Sequence, residues 1–495
     1  MCKLEKKRSV VLHSVIFSAV ILLCAVFVNS HDDYFVPESG TSFTGSVIYA
    51  LTMGNGRYIG NILGTYLPVR YLPNLITRSL ILFALIVLTA SIGFGGSSPT
   101  RGFSLSLSLS LLTAAVLLIF PGLGIYTQAY QWGHGFYNYV PPVVLLLAGV
   151  KLSKRSDLSI FCCLMLIAIG ISQSLFAENV TVAADVVAVL MIVDAALHKR
   201  ERKGPILYSI GSILGTAIMF IVPKLSGLGG SLDWYRGVIR FTDSSFISRV
   251  ADNLIQIARV ASEWHIMFVA MFSLLLIRQR RLRRPYGWML LGIMGISFAV
   301  SAIFNEKTPH YNYLYPPLVV LISALLVLTI SSFVLVCLLF SKEVLAAQLV
   351  PFLGACVSVA ELLFVQPIGA RCLFVTYSLL SLTVIQLWKR ELVCSENIQK
   401  TFLKASTVLI VIVYFTLLPM QAADFVASQA RVDSIKKQIE AGETDIYVQH
   451  LPFPRIVYKA DLLGFYGYTF NDGDPYSLNY IFQSEGEEEQ VVISP

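Results

Sequence analysis

The sequence predicts an all-α polytopic membrane protein, and three observations support that prediction. The chain has 495 residues, of which 56% are hydrophobic and only 14% are charged, a balance too apolar for a water-soluble fold. Its mean hydropathy is +0.70. Apolar runs of about 18 or more residues recur along the whole chain, and each is long enough to cross the hydrocarbon core as a helix.

The apolar runs define about thirteen predicted transmembrane helices. They are 10–29, 75–95, 104–123, 138–152, 157–176, 180–197, 205–223, 258–277, 287–304, 315–339, 344–363, 371–388 and 402–420. Together they form a multi-pass membrane domain over residues 1–420, and residues 421–495 form a separate soluble region.

Lysine and arginine in the connections predict how the chain is oriented. Every second connection carries an excess of basic residues, and such connections remain in the cytoplasm. The basic connections are KLEKKR at the N-terminus, TR at 100–101, KLSKR at 151–155, HKRERK at 198–203, RQRRLRR at 278–284, SK at 341–342 and KR at 389–390. The alternation places the N-terminus inside and the C-terminus outside. The net charge of +7 thus reflects topology, and no nucleic-acid partner is expected.

The first apolar run, 10–29, and the segment after it, 30–74, are predicted to be a retained helix and a loop with interfacial helices. KKR precedes the apolar run as in a signal peptide, but VNS at 28–30 is a poor cleavage site, so we expect a retained helix. The outer segment 30–74 is long but not very polar. Its stretches TGSVIYALTMG and RYIGNILGTYLPVRYLPNLI are amphipathic and predict helices that lie in the membrane interface.

The C-terminal region predicts a small α+β domain on the outer side. The stretch VDSIKKQIEAGETDIYVQ is typical of a helix, a glycine turn and a strand. An aromatic, turn-rich stretch follows, and the chain then reaches the acidic EGEEE, which we interpret as a solvated end.

Carboxylates on the outer side are the first candidate site residues. Asp32 and Asp33 directly follow the first predicted span, and Glu178 follows a later one in FAENV. An ionised carboxylate there can accept a proton from an attacking hydroxyl or hold a divalent cation. Adjacent residues on an extended segment point in opposite directions, so we expect only one of the two aspartates to act. A solvated loop remains an alternative. Glu361 is expected to reach the same site.

Arginines on the same side are candidates for binding an anion. Arg57 lies in GNGRYIGN and Arg371 lies in QPIGAR, both among glycines and apolar residues. The guanidinium fork suits phosphate, although snorkelling to lipid headgroups is an alternative. Further polar candidates on the same side are Gln366, Lys307, His310, His134, Asp233, Tyr235 and Arg236.

An acidic pair directly after the first span, a long first outer loop with interfacial helices and a soluble outer C-terminal region together resemble the GT-C superfamily of glycosyltransferases. More narrowly, DDYF, GNGRYIGN, QPIGAR and DPYSLNYIF resemble an uncharacterised bacterial group that is similar to the glucosyltransferases of surface polysaccharides. The resemblance covers most of the chain as architecture but only these four stretches as motifs.

The resemblance implies a multi-pass enzyme of the bacterial cytoplasmic membrane whose active site faces outside. Such an enzyme transfers a sugar, with inversion, from a polyprenyl-phosphate donor to a glycan or glycolipid acceptor of the cell envelope. Asp33 or Asp32 would be the general base and Glu178 a second acidic residue, while Arg57 and Arg371 would bind the lipid phosphate. No cofactor is certain. If the enzyme depends on a metal, Asp32 and Asp33 would hold Mg²⁺ or Mn²⁺.

Two other functions compete with glycosyl transfer. An O-antigen-type polymerase or ligase would use arginines of a large outer loop, and Arg236, Arg240 and Arg249 in 224–257 are the candidates. A lipid-linked saccharide transporter would need ionisable residues at mid-membrane and interrupted helices. The sequence has no Walker loop and no HExxH motif, so ATP-driven transport and that type of zinc chemistry are not expected.

Overall fold

The computed structural model describes residues 3–29, 42–52, 55–94, 113–114, 116–118, 121–225, 237–238, 245–278, 345–366, 368–443, 445–449, 451–457, 479–484 and 487–491. This part of the chain is mostly helical. The predicted spans 287–304 and 315–339, and most of 104–123, lie outside it.

The described part of the chain contains the following α-helices. They are α1 (Lys3–Ala25), α2 (Phe43–Thr52), α3 (Tyr58–Tyr66), α4 (Tyr71–Phe94), α5 (Gly122–Ile125), α6 (Gly133–Ser153), α7 (Ile160–Gln173), α8 (Glu178–Leu197), α9 (Lys203–Leu225), α10 (Phe246–Arg278), α11 (Leu345–Leu362), α12 (Phe374–Cys394) and α13 (Glu396–Glu440). A π-helix, Tyr126–Gln131, leads into α6, and a short 3₁₀-helix, Ala370–Leu373, leads into α12. The predicted interfacial stretches of the first loop are helices, α2 and α3.

Six helical segments among the described residues are long and apolar enough to cross a membrane. They are Tyr71–Gly93, Gly133–Ser153, Glu178–Leu197, Lys203–Pro223, Ala370–Lys389 and Asn397–Ile435. Each overlaps a predicted span. Shorter apolar helices, His13–Ala25, Ile160–Gln173 and Leu349–Leu362, overlap three more. The chain therefore has the helices of a membrane protein, while the number of about thirteen spans stays a prediction.

Two ends of the helix bundle can be told apart by their contacts. At the first, which we name the Arg57 end, Ile59 N donates to Leu175 O at 3.0 Å, so that α3 lies against the connection between α7 and α8. At the second, which we name the Arg200 end, Asp194 in the last turn of α8 pairs with Arg200. Helices α4, α6, α8 and α12 begin at the Arg57 end.

Helices α7 and α9 approach each other at backbone distance. A Cβ on Gly170 would lie 2.6 Å from Ser212 N, and one on Gly215 would lie 2.6 Å from Ile171 O. Real Cβ atoms do not come this close, so only glycine permits the contact. Small residues at helix interfaces are the usual means of close packing in membranes.

Helix α13 is a single helix of 45 residues and continues well past the predicted end of its span at 420. The predicted C-terminal helix is the last part of α13. The predicted glycine turn and strand come next, at Gly442, which has φ +76°, and at β3 (Asp445–Gln449). The second half of α13 packs at the Arg57 end, because the Phe425 ring lies 6.0 Å from that of Tyr71. The segment after α1 joins this contact through Val28.

The described strands form two small sheets. Strand β3 pairs in parallel with β4 (Asn479–Ser484), with Asp445 opposite Asn479, and β4 pairs antiparallel with β5 (Glu487–Val491). The other sheet joins β1 (Gly237–Val238) to β2 (Val365–Gln366). An outer α+β domain remains a prediction.

Candidate functional site

Arg57 and Glu178 form a bidentate ion pair at the Arg57 end. Arg57 is the N-cap residue of α3, and Glu178 is the first residue of α8. Arg57 Nε donates to Glu178 Oε1 at 2.8 Å, and Arg57 Nη2 donates to Glu178 Oε2. The side chains are 11% and 27% exposed. The structure thus brings together two predicted site residues in the geometry that gives strong, oriented hydrogen bonds.

The local sequence explains how Arg57 is presented. Asn55 Oδ1 accepts hydrogen bonds from Arg57 N at 3.1 Å and from Asn61 Nδ2 at 2.9 Å, which closes a turn ahead of α3. Gly56 has φ +75°, and a Cβ there would collide with the backbone of Met219. The GNGRYIGN motif therefore forms a tight turn whose shape needs glycine.

Charge balance keeps Arg57 ionised. Burial is the largest influence and alone would lower the pKa of its guanidinium, but the charge and hydrogen bond of Glu178, together with nearby Tyr139 and Cys372, raise that pKa overall. The guanidinium is therefore a fixed cation across the physiological pH range. Among the residues that the structure describes, its third nitrogen, Nη1, makes no hydrogen bond, so this atom can still donate to an anion.

Arg371 lies on an aromatic platform at the same end. Its guanidinium carbon is 4.8 Å from the ring centroid of Trp132, a cation–π contact. Gln128 Oε1 in the π-helix accepts from Arg371 N and Arg371 Nη1, both at 3.4 Å. A Cβ on Gly369 would lie 2.7 Å from that oxygen, so glycine leaves room for the contact.

Tyr139 connects the two arginines. Its side chain is buried, and it lies close enough to Arg57 and Arg371 to interact with both charges. Its ring centroid is 6.0 Å from the Arg371 guanidinium carbon. Its hydroxyl lies 3.6 Å from Cys372 Sγ, and Asn179 Nδ2 donates to Cys372 O at 2.7 Å. Arg57, Glu178 and Arg371 therefore belong to one continuous cluster around the first turns of α6 and α8.

His134 and Glu361 lie beside this cluster. The His134 ring is stacked on Trp132 with centroids 6.4 Å apart. Glu361, near the end of α11, is close enough to Glu178 for their charges to interact. The backbone of Gln366 pairs with Gly237 in the small sheet, but its side chain is outside the description.

Other predicted site residues lie outside the described residues. They are Asp32, Asp33, Asp233, Tyr235, Arg236, Lys307 and His310. In the described part of the chain no group of three or more His, Cys, Asp or Glu side chains could hold a metal ion. Both oxygens of Glu178 bind Arg57, so the described acidic residues do not form the carboxylate set that Mg²⁺ or Mn²⁺ requires.

Sequence reasoning missed Arg78, which lies within α4. The residue is only 1% exposed, and its Nη1 donates to Gln131 O at 2.8 Å. Three rings surround its guanidinium carbon, with centroids at 5.5 Å (Phe27), 5.3 Å (Phe136) and 5.8 Å (Tyr137). Its Nε and Nη2 have no hydrogen-bond partner within the described structure. An arginine inside an apolar run is costly, and that cost was the available signal.

Glu263 of α10 is a second residue that the sequence did not single out. Its Oε2 accepts from Gly124 N at 2.7 Å in the short helix α5. Gly122, with φ +77°, faces the same side chain, where a Cβ would lie 2.5 Å from Glu263 Oε2. Glu263 therefore adds a carboxylate next to the segment that carries Gln128, the partner of Arg371.

Comparison with known proteins assigns the chain to no family. No family model matches the chain, and neither a curated protein nor a solved structure matches it. The function must therefore be argued from the cluster itself and from the position of the charged residues along the chain.

Proposed function

We propose that this protein transfers a sugar from a polyprenyl-phosphate donor to a glycan or glycolipid acceptor at the outer face of the bacterial cytoplasmic membrane. The observation behind the proposal is the clustering of Arg57, Glu178 and Arg371 at one end of an apolar helix bundle. A cluster of oriented guanidinium groups beside the membrane is suited to the phosphate of a lipid carrier.

The distribution of charge supports an outward orientation of the Arg57 end. The basic stretch KLSKR at 151–155 begins in the last turn of α6, and HKRERK at 198–203 follows the last turn of α8, at the Arg200 end. Basic connections remain in the cytoplasm. In the proposed topology of about thirteen spans the N-terminus is inside, and the C-terminal domain is outside with the active site.

The first loop supplies the proposed base. Asn29, the last described residue before the acidic pair, donates to Pro68 O at 3.1 Å, which holds the end of the first helical segment beside the connection from α3 to α4. Asp32 and Asp33 follow Asn29 by three and four residues. Arg57 is the N-cap residue of α3, so Asn29 lies on the side of the bundle where the arginines cluster, and we propose that Asp32 and Asp33 act there.

The proposed reaction is a single inverting displacement. The carboxylate of Asp33, or of Asp32, removes the proton of an acceptor hydroxyl, and the oxygen attacks the anomeric carbon of the sugar. The bond from that carbon to the phosphate oxygen breaks, and the polyprenyl phosphate leaves with the electron pair. Arg371 and the Nη1 of Arg57 stabilise the charge that grows on the leaving phosphate.

The remaining residues take supporting roles in the proposal. Glu178 acts as a positioning residue, because both of its oxygens hold Arg57 in place. Lys307, His310 and Gln366 assist with the donor phosphate, and His134, Asp233, Tyr235 and Arg236 line the acceptor side. A divalent cation at Asp32 and Asp33 remains compatible with the sequence, but no step of the proposed reaction depends on it.

The test uses purified protein and a radiolabelled polyprenyl-phosphate hexose, with release of polyprenyl phosphate as the readout. Replacing the base, Asp33→Asn or Asp32→Asn, is expected to lower transfer by about 100- to 10,000-fold, as general-base catalysis implies. Asp157→Asn is the matched control, since Asp157 is exposed and lies in the connection between α6 and α7. Full transfer by both Asn variants at positions 32 and 33 would reject the mechanism.

A specific observation favours transport of a lipid-linked saccharide as a second candidate function. Asp185 lies well inside α8, and its carboxylate accepts hydrogen bonds from Ser212 Oγ at 2.5 Å and Thr216 Oγ1 at 2.7 Å in α9. Ionisable residues inside a span often mark a path for ions or protons. Transport predicts saccharide flux in proteoliposomes that requires a proton or sodium gradient and is lost in Asp185→Asn. Flux that is absent, or that is equal in this variant, excludes the candidate.

A further inference from the structure

A polar groove lies between the last turns of α13 and strand β3. Its volume is about 790 Å³, which is within the usual size of a small-molecule site. The residues that define its chemistry are Arg431, Asp433, Ser434, Lys437, Glu443 and Tyr447. None of them belongs to the Arg57–Arg371 cluster.

The groove has a fixed shape because α13 and β3 are bonded to each other. Gln438 Nε2 donates to Tyr447 O at 2.9 Å, and Gln438 Oε1 accepts from Tyr447 N at 2.7 Å. The side-chain amide thus pairs with the backbone of β3 as a neighbouring strand would. Gly442, with φ +76°, makes the turn between the two elements. A preformed site pays less entropy on binding than a flexible one.

The lining indicates the class of ligand. Two cationic side chains, Arg431 and Lys437, are balanced by two carboxylates, Asp433 and Glu443, so the groove has no excess charge to attract a phosphate or a polyanion. The lining has little apolar surface for an acyl chain. Hydroxyl groups can donate to the carboxylates and accept from the cations. The ring of Tyr447 is 41% exposed and offers a flat face to a pyranose.

The elements that form the groove are packed against the Arg57 end of the bundle. The second half of α13 contacts Tyr71 at the start of α4, and the segment after β3 packs with Val28 beyond α1. Asp424 Oδ1 accepts from Phe453 N at 2.8 Å and ties that segment to α13. The groove is therefore carried by an element fixed at the end of the bundle where sugar transfer is proposed.

We infer that this groove binds a neutral oligosaccharide. The groove's role as the acceptor subsite rests on the proposed glycosyl transfer, but the binding itself does not. In that role it would hold the growing glycan on the outer side, while the terminal hydroxyl reaches the site at the Arg57 end.

The experiment measures binding without any transfer reaction. The full chain in lipid nanodiscs is mixed with neutral hexaoses of α- or β-linked glucose, galactose or mannose, and binding is followed by saturation-transfer difference NMR. At least one hexaose is expected to bind, and Tyr447→Ala or Lys437→Ala is expected to weaken that binding about tenfold. Gln429→Ala is the matched control, because Gln429 is exposed on α13 outside the groove. Equal thermal unfolding temperatures for the variants and the parent exclude loss of folding.

Three results would overturn the inference. The first is that no hexaose in the panel binds, and the second is that binding is equal in both groove variants and the control. The third is that an acidic hexauronate binds more tightly than every neutral hexaose, which would contradict the charge balance. Failure of the proposed transfer is a separate result, because binding of a hexaose does not depend on Asp33. If Asp32→Asn and Asp33→Asn both retain full transfer while Tyr447→Ala loses binding, the mechanism is rejected and the groove is retained.

Discussion

The two ends of helix α8 carry the same kind of ion pair in different settings. At the Arg57 end, Glu178 pairs with Arg57, which is 121 residues away in sequence. At the Arg200 end, Asp194 pairs with Arg200, which is six residues away. Arg57 is 11% exposed, whereas Arg200 is 47% exposed. The first pair exists only in the folded bundle, while the second needs little more than the end of one helix.

The helix dipole acts on the two carboxylates in opposite directions. Glu178 lies in the first turn of α8, where the positive end of the dipole favours a carboxylate. Asp194 lies in the last turn, where the dipole disfavours it, and Arg200 offsets that cost. The Arg57 pair therefore joins two helices and presents a guanidinium, whereas the Arg200 pair stabilises a helix end.

Breaking the long-range pair is expected to have the largest effect on stability. Arg57→Ala leaves the Glu178 carboxylate without its partner in a mostly enclosed position, which costs about 3–5 kcal/mol for a buried pair. The measurement is thermal or denaturant-induced unfolding of the protein in detergent micelles. The double variant Arg57→Ala/Glu178→Gln removes the orphaned charge and is expected to recover part of the loss. If the single variant is as stable as the parent, Arg57 and Glu178 do not support the fold.

The long-range pair also shows what a sequence can and cannot reveal. Apolar length and basic connections were enough to predict the spans that the described helices overlap. They could not pair Arg57 with Glu178, because no local pattern links residues so far apart. Nor could they predict that one helix, α13, continues past the predicted span end at 420, since polar residues follow it. Those residues include Gln421 and Asp424, which are buried in the fold, where Asp424 accepts from Phe453 N.

Arg78 is a buried arginine with no carboxylate partner among the described residues, and its replacement is expected to change stability less than Arg57→Ala. Arg78 is buried among aromatic rings, and the described residues place no carboxylate in contact with it. A buried charge often costs more than it contributes, so Arg78→Met is expected to leave stability unchanged or to raise it by about 1–4 kcal/mol. The readouts are the unfolding transition in detergent and release of polyprenyl phosphate.

The two readouts separate a structural role for Arg78 from a functional one. A stable Arg78→Met protein that loses transfer would show that the charge is kept for function at the expense of stability. Because Arg78 Nη1 holds the backbone of Gln131 next to Trp132, the expected functional defect is weaker binding of the donor at the Arg371 platform. A raised KM for the donor with an unchanged kcat is the specific expectation. A strongly destabilised Arg78→Met protein would instead show that the hydrogen bond to Gln131 is structural.

The local pair at the other end of α8 is expected to matter least. Arg200→Ala removes a cation that is 47% exposed, so water can take its place at the Asp194 carboxylate, which is 12% exposed, and ion pairs open to solvent contribute about 0–1 kcal/mol. The Arg200 guanidinium is open to solvent, which screens its charge. The unfolding transition in detergent should therefore move little, and raising the salt concentration should reduce even that shift. Because both pairs belong to one helix, the same assay compares them directly. An Arg200→Ala loss as large as that of Arg57→Ala would mean that sequence separation and burial do not distinguish the two ends of α8.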